Sequence, residues 1–242
     1  MTKKLKIDFH IHTAEDPKDH IPYNSFQLID AASQKGFDAL AITNHDAVFY
    51  NPEIVKYAEN KGILLIPGME ATFSDAHVLI LNPDFQINPE GRSIKDLPSL
   101  KKEDNLIIAP HPFFLRFKSL DSHLLTYIHL FDAIEFAQYY NRLINYNKKA
   151  VETAKKYNLP LVGTSDCHFL WQFGDTFSLV ESKKDIPSII KAVKSGKVEI
   201  FTKPISLATM AKIMTTFMLR RAIYGKKNRI NEKPSVFSKK ED

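Results

Sequence analysis

Short apolar runs alternate with helical stretches along most of this chain, and run after run ends on a histidine or a carboxylate. The runs Leu5 to Ile11, Ala39 to Ile42, Ile63 to Ile66, Val78 to Leu81, Leu106 to Ile108, Asp132 to Phe136 and Leu161 to Val162 read as short buried strands. Ser25 to Gln34 reads as a helix ending before Gly36, and Pro52 to Asn60 as one that begins on proline and stops before Gly62. Asn141 to Tyr157 is the longest helical stripe, and Ile186 to Lys194 with Val198 to Phe201 adds a last helix and strand. Alternating β and α units imply a parallel sheet covered by helices. At 242 residues and 44% hydrophobic content, one barrel-sized α/β domain fits best.

The run ends carry the chemistry. They read Asp8-Phe9-His10-Ile11-His12-Thr13, Thr43-Asn44-His45-Asp46, Gly68-Met69-Glu70, Ala76-His77-Val78, Ala109-Pro110-His111-Pro112 and Thr164-Ser165-Asp166-Cys167-His168. Residues two apart on a strand share a face, so His10 with His12, and Asp166 with His168, each aim two metal-ligating groups at one place. Barrel-type α/β enzymes place their sites at the C-terminal strand ends, where all of these groups would converge. Imidazoles and carboxylates at six strand ends exceed what one zinc needs and suit two or three divalent ions. A single strand histidine is more often a satisfied core or surface residue, and it is the joint placement of six of the nine that argues for metal. His123 and His129 lie in the apolar stretch Leu120 to Leu130 and are assigned to packing.

One cysteine, Cys167, excludes an internal disulfide and points to the cytoplasm; flanked by Asp166 and His168, it should face away from them and pack. Met1-Thr2-Lys3-Lys4 leads into the first strand without the apolar stretch of a signal peptide, and no segment reaches the length of a bilayer span, so a soluble protein is expected. The net charge of +5 is uneven: residues 203–242 hold ten Lys/Arg against three Asp/Glu, which leaves the remainder slightly acidic. A basic pI is therefore weak support for a nucleic-acid track over the part that carries the chemistry. The expected division is a domain over 1–202 and a basic tail over 203–242. Within the tail, Ile205 to Tyr224 reads as an amphipathic helix that could contact a membrane surface, RNA, the barrel itself or another subunit, with the packing roles favoured.

The Asp-x-His-x-His-Thr opening, the Thr-Asn-His-Asp strand end, Gly-x-Glu, His77 before an apolar strand, Pro-His-Pro and Ser-Asp-x-His occur in an order and spacing that resemble the polymerase and histidinol phosphatase (PHP) superfamily of metal-dependent phosphoesterases. The resemblance covers about residues 5–201. It implies a distorted (β/α)7 TIM-like barrel, here followed by the helical basic tail, with two or three Zn, Mn or Fe ions. It further implies that His10, His12, Glu70 and Asp166 surround one ion, that Glu70 bridges to a second held by His77 and His111, and that a third uses His45, His168 and a residue after His12. Many members have Ser-Asp-Gly there, whereas this chain reads Glu15-Asp16-Pro17-Lys18-Asp19-His20. Asp19 is the preferred ligand, with His20 or Asp16 as substitutes.

Asp8 and Asp46 are expected to fix histidine tautomers from behind, and Glu135 either orients a ligand or closes a strand end. The implied reaction is hydrolysis of a small phosphate ester by a metal-activated hydroxide, with Asp166 or His168 also able to pass a proton to the leaving oxygen. Arg116 and Arg142 are the candidate phosphate-binding cations. Trp171, Gln172 and Phe173 form either an aromatic wall or a core loop. Three alternatives stand beside this: a 5′-to-3′ exonuclease or oligonuclease acting on short nucleic acid, an amidohydrolase-like metal hydrolase, for which no strand-end lysine is present, and a non-catalytic metal-stabilised module.

Overall fold

The computed structural model describes residues 4–73, 76–84, 91–115 and 118–231. The strands are β1 (Lys4–Asp8), β2 (Ala39–Ile42), β3 (Leu64–Phe73), β4 (Ala76–Leu81), β5 (Leu106–Ala109), β6 (Ala133–Ala137), β7 (Leu161–Thr164), β8 (Thr176–Glu181) and β9 (Val198–Thr202). The helices are α1 (Ser25–Gln34), α2 (Pro52–Asn60), α3 (Ser122–Thr126), α4 (Asn147–Tyr157), α5 (Ile186–Lys194) and α6 (Leu207–Asn231). The chain divides into a compact unit, Met1–Pro204, and a second, Ile205–Asp242, to which α6 belongs.

Local chemistry sets the helix bounds. Asn24 caps α1, its side chain accepting from the Gln27 amide while the Gln27 side chain accepts from the Asn24 amide at 2.9 Å each. Asn51 caps α2 ahead of Pro52, and Asp185 caps α5 through the Ser188 amide at 2.8 Å.

Among the described residues the nine strands lie in one sheet, ordered β7-β6-β5-β4-β3-β2-β1-β8-β9. The expected parallel sheet is present only in part. β1, β2 and β3 are parallel, as are β5, β6 and β7, but β4 runs antiparallel between the two sets, β8 runs antiparallel to β1, and β9 runs antiparallel to β8. Only two residues separate β3 from β4, too few for a crossover helix, and strand β8 follows its predecessor after only a short 3-10 turn.

The sheet nearly closes into a barrel. Ile11 bridges to Cys167 in parallel register, and the Ser178 hydroxyl donates to the Gly163 carbonyl at 3.0 Å. Gly163 permits this approach, since a Cβ there would lie 2.7 Å from Ile200 and 2.8 Å from the Phe177 carbonyl oxygen. On the outer layer, Leu28, Ile29 and Ala32 of α1 and Ile54 and Ala58 of α2 pack with Leu40, Ile42 and Leu65, while Ala150 and Ala154 of α4 pack with Ile107 and Ile134. Among the described residues no helix is long and apolar enough to cross a membrane.

Candidate metal centre

The barrel brings six strand ends together. His10 and His12 follow β1, His45 follows β2, Glu70 lies in β3, His77 in β4, His111 follows β5, and Asp166 and His168 follow β7. Glu70 sits at the middle and is buried. Its Oε1 lies 2.8 Å from His77 Nδ1, 3.1 Å from His111 Nε2 and 3.5 Å from His10 Nε2. Its Oε2 lies 3.1 Å from His45 Nε2 and 3.3 Å from His12 Nε2. One carboxylate therefore faces five imidazoles. Asp166 Oδ1 approaches the Nε2 atoms of His10 and His12 at 3.4 Å each, and His168 Nε2 lies 3.4 Å from Asp19 Oδ2.

Three residues at these strand ends adopt the left-handed backbone region: Asp46 at φ 52°, His111 at φ 27° and Asp166 at φ 45°. Such conformations are uncommon outside glycine and persist where surrounding bonds over-determine them. Those bonds are present. The His111 amide donates to Glu135 Oε2, the Asp166 carbonyl accepts from the Tyr139 hydroxyl at 2.6 Å, and the neighbouring Cys167 carbonyl accepts from the Tyr23 hydroxyl at 2.7 Å. Neither tyrosine has a local sequence signal, because each reaches the site from a distant loop.

Glu135, in β6 and fully buried, accepts from His10 Nδ1 at 2.8 Å, from the His111 amide and from the Thr164 hydroxyl. It orients a candidate ligand, the first of the two roles expected for it. Asp8 and Asp46 bond other groups instead: Asp8 accepts from the amides of His10 and Ser165 at 3.3 and 3.1 Å, and Asp46 from the amide and hydroxyl of Thr72 and from the Lys18 ammonium. The expected tautomer-fixing role thus falls to Glu135 and to Asp16, whose Oδ2 accepts from the Nδ1 atoms of His12 and His45.

The remaining sequence candidates divide. Arg116 lies outside the described residues, and Arg142 is exposed in the loop after β6. Trp171 is exposed and stacks on Phe169 at 5.7 Å, whereas Phe173 packs against Phe37 at 4.6 Å and belongs to the core. His20 is exposed.

The electrostatics follow from crowding. Burial disfavours a charged His10, but Asp166, Glu135 and Glu70 outweigh it and hold its pKa well above the usual value. His12 is raised in the same way against burial by Asp16, Asp166 and Glu70, and His111 by Glu70. Burial and the neighbouring His12 push His168 down to about 4, leaving a neutral ring with a lone pair. Glu70 and Asp166 stay ionised against burial because imidazoles surround them.

Metal ions fit this donor set. His10 Nε2 and His12 Nε2 face each other at 3.2 Å, while the Nδ1 atoms behind them are anchored on Glu135 and Asp16. His77 Nε2 is buried without a hydrogen-bond partner among the described residues. Groups such as His10-His12-Glu70, His12-Asp166-His168 and His45-Glu70-His77 place their nitrogen and oxygen atoms within 4.8 Å of one another.

Cys167, although flanked by candidate ligands, is buried with its thiol directed to the Phe169 carbonyl at 3.0 Å. Burial pushes its pKa up to about 12. Iodoacetamide at pH 8 is expected to leave the native protein unlabelled and to label it once after denaturation, as intact-mass measurement would show; rapid native labelling would contradict the packing.

Comparison with known proteins agrees with this geometry. The PHP domain family model matches residues 8–147, and the PHP-associated model matches 145–198. A DNA polymerase III PolC-type from Staphylococcus epidermidis is 35% identical over 91 residues, covering 38% of this chain and 6% of that protein. An uncharacterized protein of Methanocaldococcus jannaschii is 26% identical over 181 residues, covering 72% of this chain and 69% of its own length. Among solved structures, a two-domain protein from Bacteroides vulgatus containing a predicted PHP-like metal-dependent phosphoesterase aligns with a TM-score of 0.64 at 25% identity, over 83% of this chain and 65% of that one. The lesion-specific endonuclease Q of Pyrococcus furiosus shares the fold, with a TM-score of 0.57 at 20% identity over 81% and 57% of the two chains. This chain spans only a small fraction of the polymerases it matches and just under two thirds of the Bacteroides protein. With the family model covering more than half of its length and the strand-end pattern of candidate ligands assembled in one barrel, the chain belongs to the PHP domain family.

Proposed function

We propose that the chain is a hydrolase of phosphate esters acting on a small phosphorylated metabolite or nucleotide with two or three Zn, Mn or Fe ions. The observation that carries this reading is Glu70, one buried carboxylate within 3.5 Å of nitrogen atoms from five histidines. In this reading His10, His12, Glu70 and Asp166 hold one ion, Glu70 with His77 and His111 a second, and His45, His168 and Asp19 a third. Such ions, when bound, supply a nucleophile at neutral pH and neutralise the phosphoryl oxygens. The protein's own groups do the rest. Glu135 and Asp16 keep the His10 and His12 rings turned inward, and Tyr139 and Tyr23 brace the Asp166–His168 segment. With Asp166 ionised and His168 neutral, either would first take a proton from the attacking water and then pass it to the leaving oxygen. No serine or cysteine nucleophile is needed, and the Cys167 thiol is held neutral by burial.

The test couples metal analysis to a substrate panel. Purified protein is expected to hold more than one equivalent of Zn, Mn or Fe and to release phosphate from at least one phosphometabolite or nucleotide, with His10→Ala abolishing release. Less than one equivalent of metal together with unchanged release from His10→Ala overturns the reading. Oligonucleotides belong in the panel, because cleavage of these without release from monoesters would favour a nuclease; the slight acidity of residues 1–202 argues for the small substrate.

Metal binding should also depend on pH. Since carboxylates hold the pKa values of His10, His12 and His111 above normal, ions must displace protons there, so affinity rises with pH. Calorimetry in two buffers of different ionisation enthalpy is expected to show net proton release at pH 6.5, and no difference between buffers would contradict it.

A further inference from the structure

The segment after His12, where the chain lacks the Ser-Asp-Gly pattern, is organised around one side chain. The Asp16 carboxylate is buried and receives five donors. Its Oδ2 accepts from His12 Nδ1 at 3.0 Å, His45 Nδ1 at 2.8 Å and the His45 amide at 2.8 Å. Its Oδ1 accepts from the Lys18 amide at 2.8 Å and the Asp19 amide at 2.9 Å. A carboxylate offers about four lone-pair sites, so this one is saturated.

Two consequences follow from that saturation. The His12 and His45 rings, stacked at 4.4 Å, must both carry the proton on Nδ1, and their Nε2 atoms then both point at Glu70 Oε2. The Lys18 and Asp19 amides, drawn onto Oδ1, turn the loop so that Asp19 Oδ2 reaches 3.4 Å from His168 Nε2. Direct ligation by Asp16 would leave several buried donors unpaired, whereas Asp19 is partly exposed and is bound by no comparable set of donors.

We propose that Asp16 is a positioning residue, which fixes the tautomers of two histidines belonging to different ions and shapes the loop, and that Asp19 is the carboxylate this loop offers to metal. The proposal rests on the metallohydrolase reading above. Single carboxylates set behind metal-bound histidines commonly change metal affinity by about 10- to 100-fold. Here one carboxylate would serve two rings, so its loss should weaken two ion sites together.

The test is zinc titration of the full chain, with bound zinc counted by mass spectrometry and histidine Nδ1–H resonances followed by long-range 1H–15N NMR of the zinc-loaded protein. Asp16→Asn is expected to shift or abolish the Nδ1–H resonances of His12 and His45 and to weaken binding by about 10- to 100-fold, yet to reach the wild-type zinc count at saturation. Asp19→Asn is expected to leave both resonances in place and to lose one equivalent at saturation. Asp16→Ser, which keeps one acceptor oxygen, should follow Asp16→Asn and serves in its place if the amide variant does not fold. An equivalent lost at saturation from the Asp16 variants but not from Asp19→Asn makes Asp16 the ligand and overturns the proposal, as do unchanged resonances and affinity. A wild-type chain that binds no zinc, manganese or iron overturns the metallohydrolase reading and the proposal together.

Discussion

Glu70→Gln is expected to reduce bound metal to less than one equivalent and to lower phosphate release by about 10⁴-fold or more, roughly 5 kcal/mol of barrier. The size of the effect comes from geometry. Both oxygens of Glu70 are committed, Oε1 toward His77, His111 and His10 and Oε2 toward His45 and His12. An amide keeps the shape, but it turns one of two anionic acceptors into a donor aimed at imidazoles that need their lone pairs for metal. Every ion site that uses Glu70 fails at once, so added metal should not restore activity. Elemental analysis and steady-state kinetics on one preparation provide the check, and a variant that keeps two equivalents and its turnover would remove Glu70 from the centre.

Glu135→Ala is expected to act on stability first. The carboxylate is fully buried and accepts from three groups that come from separate strand ends, His10, His111 and Thr164. Its loss strands those donors, including His10 Nδ1, and breaking a buried charged contact of this kind costs about 3–5 kcal/mol. For a chain of this size that lowers the melting temperature by about 10 °C. Glu135→Gln separates structure from chemistry: its carbonyl can still accept from one or two of the donors and should recover most of the stability. The single amide oxygen cannot serve His10 Nδ1, the His111 amide and Thr164 together, so metal affinity should remain about 10- to 100-fold weaker. Thermal melts of the metal-free variants, set beside zinc titrations, distinguish the two effects. If both variants melt and bind as the wild type does, Glu135 is an ordinary strand terminus.

The β-to-α alternation was legible because it is a local property, and α1, α2 and α5 have the bounds their caps and glycines announce. The strand period of two was the wrong reason for pairing His10 with His12 and Asp166 with His168: β1 ends at Asp8 and β7 at Thr164, so all four lie just past their strands, and Asp166 has left-handed backbone. Strand direction was not legible. A buried strand antiparallel to both neighbours, such as β4, and one parallel to both, such as β2, are each short apolar runs, and only the pairing partners distinguish them. β8 was missed because Thr176–Glu181 mixes polar and apolar residues without a clear run. The roles of the acidic residues were the least legible. Asp8, Asp16, Asp46 and Glu135 all stand beside or opposite candidate ligands, and sequence neighbourhood favoured Asp8 and Asp46 as ring-orienting groups.

The sequence by itself determined which residue types stand at or just past the strand ends, and therefore that candidate metal ligands were on offer there, because ligand chemistry and the alternation of short apolar runs with helices need no long-range information. Only the tertiary structure decided which carboxylate orients which ring. Hydrogen bonds such as those from His10 to Glu135, and from His12 and His45 to Asp16, depend on distances between segments far apart in the chain, and those distances exist only once the barrel has closed.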